Sequence, residues 1–282
     1  MTDTSSLPPR FMMGRKPMRP EGERFPIPYL HELDAEVGPD VAVTYPVDVS
    51  QGITDWLMLG NGPDPTLTIV TPNGPGGPVG NCFYAGKDHD KMLSGYQPTA
   101  NGTVGQYDIY EADSQGVSLG QEQDEGVVMA DALLWCHTHN EAGLLVPPGQ
   151  GDVELFAPVH PDTLGQVMAK YQRGVLMGVN LTGCDQSSFP IWNVTPSCQP
   201  NSANGHVVLG VVLNGPIGTP QGSGVPISWA QRVTADAAWM DACPEEFWMI
   251  LTSQDREKMG SAAFDSLAVT LAALPGATGT GA

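Results

Sequence analysis

Pro78-Val79-Gly80-Asn81-Cys82-Phe83-Tyr84-Ala85-Gly86-Lys87-Asp88-His89-Asp90-Lys91-Met92-Leu93-Ser94-Gly95 is the stretch on which the fold turns. The approach to Cys82 is rich in proline and glycine. From Cys82 onward the pattern changes: Cys82, Phe83, Ala85, Gly86, His89, Met92 and Leu93 recur at helical spacing, and Lys87, Asp88, Asp90 and Lys91 fill the other face. The spacing predicts a helix that begins at Cys82 and ends by Gly95. Unpaired amide N–H groups and the helix dipole at that end favour a thiolate. A nucleophilic cysteine needs this position, because the thiolate is the attacking species. A buried structural cysteine is the alternative reading of the same position.

Outward from this helix, residues 1–50 are rich in proline and polar groups and read as an extended arm. Residues 53–59 are a short apolar stretch, and the alternating Thr66-Leu67-Thr68-Ile69-Val70-Thr71 predicts a small hairpin. A second helix is expected over about 126–140 and a third over 162–172, with Pro161 in its first turn and Gly174 as its stop. Strands are expected over 175–181, 207–213, 225–233 and 247–252, with a short helix at 235–243. An amphipathic helix over 261–274 and a flexible tail complete the chain. Helices first and strands later point to an α+β fold with the two segregated. The domain plan is an arm (1–50), a globular domain (51–254), and a C-terminal helix with tail (255–282). His206 follows Gly205 and opens the apolar run 207–213. A base at the mouth of a strand, facing a helix N-terminus, is the geometry of a Cys–His pair. A loop histidine is the plainer reading.

The formal net charge of -19 repels phosphate backbones and argues against nucleic-acid binding. The charge is uneven. Within residues 1–24, Arg10, Arg15, Lys16, Arg19 and Arg24 outnumber Asp3, Glu21 and Glu23, so an acidic body carries a basic N-terminal segment that can lie on its own surface or a neighbour's. The five cysteines do not make a disulfide framework. Cys184 and Cys198 flank one loop and are candidates to pair, whereas Cys136 and Cys243 look like core residues. There is no apolar leader and no run long enough to span a membrane. Cys136-His137-Thr138-His139 has no second Cys/His cluster at zinc spacing, and there is no phosphate-cradling loop, so no metal or cofactor is expected.

A helix-borne cysteine, several helices, Gly-His on a strand and Ser-Trp on the next resemble the papain-like cysteine peptidases. More closely, the chain resembles a papain-fold family encoded by actinobacterial phages and their relatives. Residues Trp56 to Thr68 (Trp-Leu-Met-Leu-Gly-Asn-Gly-Pro-Asp-Pro-Thr-Leu-Thr), Pro78-Val79-Gly80-Asn81-Cys82, Gln123-Asp124-Glu125-Gly126, Gly178-Val179-Asn180-Leu181-Thr182, Gly205-His206 and Ser228-Trp229-Ala230 carry the resemblance. It implies Cys82 as nucleophile, His206 as general base, and an oxyanion hole from the Cys82 N–H and a side-chain amide, that of Asn61 if residues 62–79 are an inserted hairpin, with Asn73 as the weaker candidate. It also implies that Trp229, beside Ser228, shields the histidine. The chain departs from the family where a papain-like enzyme keeps an Asn or Asp before Ser-Trp to orient the histidine: here Ile227 stands.

Two functions follow as expectations. One is a virion-associated structural protein, a capsid or tail accessory or decoration protein made in the host cytoplasm, with weak or lost catalysis and an arm that binds other subunits of a phage particle. The other is an active thiol hydrolase that cleaves peptide or amide bonds, in peptidoglycan or in a phage structural protein.

Overall fold

The computed structural model describes residues 15–39, 46–50, 70–71, 74–75, 80–96, 100–229 and 231–275. Its helices are α1 (Leu30–Leu33), α2 (Cys82–Leu93), α3 (Ala100–Gln115), α4 (Met129–Thr138), α5 (Leu164–Tyr171), α6 (Asp185–Ser188), α7 (Ala237–Ala242), α8 (Arg256–Met259) and α9 (Ser261–Ala272). The strands are β1 (Val47–Asp48), β2 (Val70–Thr71), β3 (Gly74–Pro75), β4 (Leu155–Pro158), β5 (Val175–Thr182), β6 (Ile191–Trp192), β7 (Pro200–Leu213), β8 (Gly224–Ser228), β9 (Gln231–Arg232), β10 (Thr234–Ala235) and β11 (Pro244–Leu251). Nine of these strands make one sheet of order β4-β11-β5-β7-β8-β10-β6, with β1 added to β7 and β9 to β8; β2 and β3 pair separately. The mixed fold with its helices ahead of most of the sheet matches the expected class. Of the proposed hairpin over 66–71, only β2 falls among the described residues.

Strand β7 is the spine of the sheet. It is antiparallel to both β5 and β8, with Val179 opposite His206 and Leu209 opposite Ile227. Residues 205–213 are all buried, which explains why 207–213 reads as a continuous apolar run rather than an alternating one. The strand starts at Pro200, earlier than expected, so His206 lies within it and not at its mouth.

Helix α2 crosses the sheet at close range. A Cβ at Gly86 would sit 3.1 Å from a Leu176 methyl, so this glycine sets how near the helix comes to β5 and β7. Ten of the twelve residues of α2 are buried, among them Lys87, Asp88 and Asp90 of its charged face. The reason is α3, a helix the sequence does not announce, together with partners remote in the chain. Lys87 donates to Gln106 Oε1 at 2.7 Å and pairs with Asp88 and Asp152. Asp90 accepts from Arg173, which also binds Asp255. Buried charges persist only when paired in this way.

The arm takes one of the two courses open to it. Over 15–39 it packs on its own chain. The Arg15 N–H donates to Gly205 O at 3.2 Å, and Lys16 N–H donates to Val127 O at 2.8 Å. The Arg15 guanidinium is wholly buried between Glu245 (2.8 Å) and Glu246 (3.0 Å). Only glycine fits opposite the Arg15 backbone, because a Cβ at Gly205 would lie 2.3 Å from Arg15 O. Farther on, Leu30 is buried, α1 packs against α9, and Asp34 accepts from Tyr171 and Lys170. Val47 and Asp48 then join the sheet beside Leu213 and Val212. A desolvated arginine needs carboxylates at hand, and the body supplies two adjacent ones. That is why the basic segment folds back instead of reaching outward. Residues 1–14 lie outside the described residues.

No helix among the described residues is long and apolar enough to cross a membrane.

Candidate active site

Cys82 is the first residue of α2, directly after its N-cap residue Asn81. The first intrahelical bond runs from Ala85 N–H to Asn81 O, so the amides of the opening turn face the end of the helix where the sulfur sits. Strand β7 brings His206 to the same place, and the β7–β8 pairing brings Ser228 and Trp229. Cys82, Ala85, Gly86, His89, His206, Ile227, Ser228 and Trp229 all line one small cavity. Asn61, the expected oxyanion donor, lies outside the described residues. Asn81 is buried, and its Oδ1 has no hydrogen-bond partner among the described residues.

His206 has a side-chain hydrogen-bond partner that the sequence did not disclose. His206 Nε2 lies 2.7 Å from Ser228 Oγ. A hydroxyl thus stands where papain-like enzymes are expected to use an amide or carboxylate. Asn214, at the turn after β7, donates to Ser223 Oγ at 3.0 Å and not to His206.

An aromatic wall fixes the imidazole from one side. The Trp229 ring lies 5.1 Å from His206 at 30°. Trp229 has φ of 47°, an uncommon conformation for a bulky residue, and the turn it makes after β8 aims its ring at the histidine. Phe189 and Trp192 meet Trp229 edge-on at 5.2 and 5.8 Å, and Trp192 stacks on Trp239. Asp185 anchors this set: its Oδ2 accepts from Trp239 Nε1 at 3.0 Å and its backbone oxygen from Trp192 Nε1 at 3.1 Å.

Burial governs the protonation of the site. Cys82 and His206 are each 1% exposed. Desolvation pushes the His206 imidazole down to about 3, and it does the same to His89. His206 is therefore neutral at pH 7. Cys136 and Cys243 are also buried, and burial pushes both thiols well above the usual range. Cys184 and Cys198 form a disulfide, the pairing that the sequence left open. Among the described residues no group of three or more His, Cys, Asp or Glu side chains is placed to hold a metal.

A pH prediction follows from the two depressed histidines. Each binds its proton more readily in the unfolded chain, near 6.5, than in the fold, near 3. Between these limits acid favours unfolding, and the loss is absent above about pH 6.5. Asp90, Asp108 and Glu111, raised by burial to about 6, 7 and 7, act in the opposite sense, so the whole-protein profile mixes both. The difference between wild type and His89→Leu isolates one histidine. Relative to wild type, the variant should gain about 1.4 kcal/mol per pH unit as pH falls from about 6 to 4. Urea unfolding at a series of pH values checks this, and a difference independent of pH would contradict it.

The whole arrangement resembles a solved structure. The fold is similar to that of xylellain, a cysteine protease from Xylella fastidiosa, with a TM-score of 0.56 and 13% sequence identity over 88% of this chain and 99% of that chain. No family model matches the sequence, and no curated protein does. At that identity the likeness establishes a shared papain-like fold.

Proposed function

We propose that the chain is a papain-like thiol hydrolase acting on peptide or amide bonds, with Cys82 as nucleophile, His206 as general base and Ser228 holding His206 in place. The observation that carries this reading is the 2.7 Å contact of Ser228 Oγ with His206 Nε2 in a cavity shared with Cys82. With Nε2 engaged by Ser228, proton transfer with Cys82 falls to Nδ1. His206 takes the thiol proton as sulfur attacks the carbonyl carbon, and it returns that proton to the leaving amine as the C–N bond breaks. Water, activated by the same imidazole, then cleaves the thioester and restores the thiol. The Cys82 N–H at the helix end stabilises the oxyanion, with Asn61 as the proposed second donor. A neutral resting imidazole suits a base that must accept the proton during attack. The similar structure being a cysteine protease supports the same class.

One observation favours a second reading, a virion structural protein that keeps the fold without turnover: both members of the pair are almost wholly buried. In that case the protein would reside in a phage particle after synthesis in the host cytoplasm and bind other particle proteins.

Alkylation decides between them. In the hydrolase reading iodoacetamide at pH 7 labels Cys82 at least tenfold faster than Cys136 or Cys243, because the helix end and a positioned base favour its thiolate. Mass spectrometry of the labelled peptides gives the rates. Equal, slow labelling of all three thiols would leave the structural reading.

A further inference from the structure

Helix α2 carries a second histidine that the Cys82–His206 chemistry leaves unused. His89 lies two helical turns beyond Cys82 and lines the same cavity as Cys82, His206 and Ser228. It is 1% exposed, and neither ring nitrogen has a hydrogen-bond partner among the described residues. An unmatched buried polar group is destabilising. Leucine or methionine would fill this helix face without that cost. The neutral ring offers one N–H and one bare nitrogen.

Ser228 supplies the complementary need. Its bond to His206 Nε2 has two possible polarities. If the hydroxyl donates, the imidazole proton sits on Nδ1, and that nitrogen cannot take the Cys82 proton. If the hydroxyl accepts from Nε2–H, Nδ1 is a base, but the Ser228 hydrogen needs an acceptor of its own. Among the other side chains lining the cavity, His89 alone carries a nitrogen or oxygen acceptor. The space free for the centre of a water molecule there is about 10 Å³, close to what a single water needs.

We propose that His89 is a positioning residue which, through one enclosed water, fixes the polarity of the Ser228–His206 hydrogen bond. The water donates to the bare nitrogen of His89 and accepts from Ser228 O–H. Ser228 then accepts from His206 Nε2–H, and His206 Nδ1 faces Cys82 as the base. This role rests on the hydrolase reading and deepens it.

Three measurements on the full-length protein test it: a high-resolution crystal structure of the wild type, the His206 tautomer from imidazole ¹⁵N shifts, and the rate of Cys82 alkylation by iodoacetamide. An ordered water within hydrogen-bond distance of both His89 and Ser228 is expected, with His206 in the Nε2–H form. In His89→Leu the tautomer should shift toward Nδ1–H and alkylation should slow roughly tenfold or more, part of the penalty for a wrongly protonated triad histidine. His89→Gln, which keeps an acceptor, should recover most of the rate. A dry cavity in the wild type, or an unmoved tautomer in folded His89→Leu, overturns the proposal. If His89→Leu does not fold, the wild-type water decides. Alkylation that ignores His206→Ala would remove the hydrolase reading itself. Alkylation that depends on His206, with a tautomer indifferent to residue 89, would remove only this inference.

Discussion

Replacing His206 with alanine is expected to slow alkylation of Cys82, and any hydrolytic turnover, by about 10²–10⁴-fold, the usual contribution of a positioned base. The imidazole is packed against Trp229 and bound to Ser228, so the substitution removes the base while Trp229, Ser228 and the neighbouring strand pairing stay in place. Ser228→Ala should fall between wild type and His206→Ala. Without the hydroxyl the ring keeps its stacking on Trp229 but loses the contact that selects its tautomer. A protein in which Ser228→Ala matches wild type would show that the 2.7 Å contact has no part in orienting the base.

The second large effect concerns the arm. Arg15→Met is expected to destabilise the fold by about 3–5 kcal/mol, because removing one partner of a buried ion pair leaves the other charge uncompensated. The Glu246 side chain is only 4% exposed, and its remaining described partner is Trp248 Nε1 at 2.7 Å. For a chain of this size that corresponds to a fall in Tm of roughly 10 °C. Arg15→Lys keeps the charge but not the fork that reaches Glu245, Glu246 and Asn180 together, so it should lose part of this stability. Combining Arg15→Met with Glu246→Gln should recover much of the loss, since the stranded charge is then gone. Thermal and urea unfolding of the three variants against wild type checks the series. A change below about 1 kcal/mol in Arg15→Met would place the pair with ordinary surface bridges.

The parts of the fold legible in the sequence are those written in local pattern. Cys82 opens α2 because an apolar 3.6-residue period begins there after a glycine-rich approach, and β7 is announced by its apolar run. Helix α3 was not legible: it contains Gly102 and Gly105 in its first half, residues with poor helix propensity, and tertiary packing overrides them. Strand β4 was missed because it is four residues long and ends on Pro158. The burial of Lys87 and Asp90 on α2 is not legible locally, because their partners Asp152 and Arg173 lie far along the chain. Ser228 was assigned to the site as a neighbour of Trp229, yet its bond to His206 depends on the β7–β8 register, which no local motif encodes. His89 was counted as one more residue on the apolar helix face; only the assembled cavity shows that its nitrogens are unmatched.

The most direct test of the central claim is whether Cys82 becomes acylated. Mixing the full-length protein with an activated ester or a peptide thioester, quenching in acid and mapping the adduct by mass spectrometry reads the intermediate itself. The account predicts a rapid burst of acyl adduct on the peptide containing Cys82, approaching one per molecule, absent in Cys82→Ser and strongly slowed in His206→Ala. A folded wild-type protein that acquires no acyl group on Cys82, or acquires it equally on Cys136 and Cys243, would contradict the account.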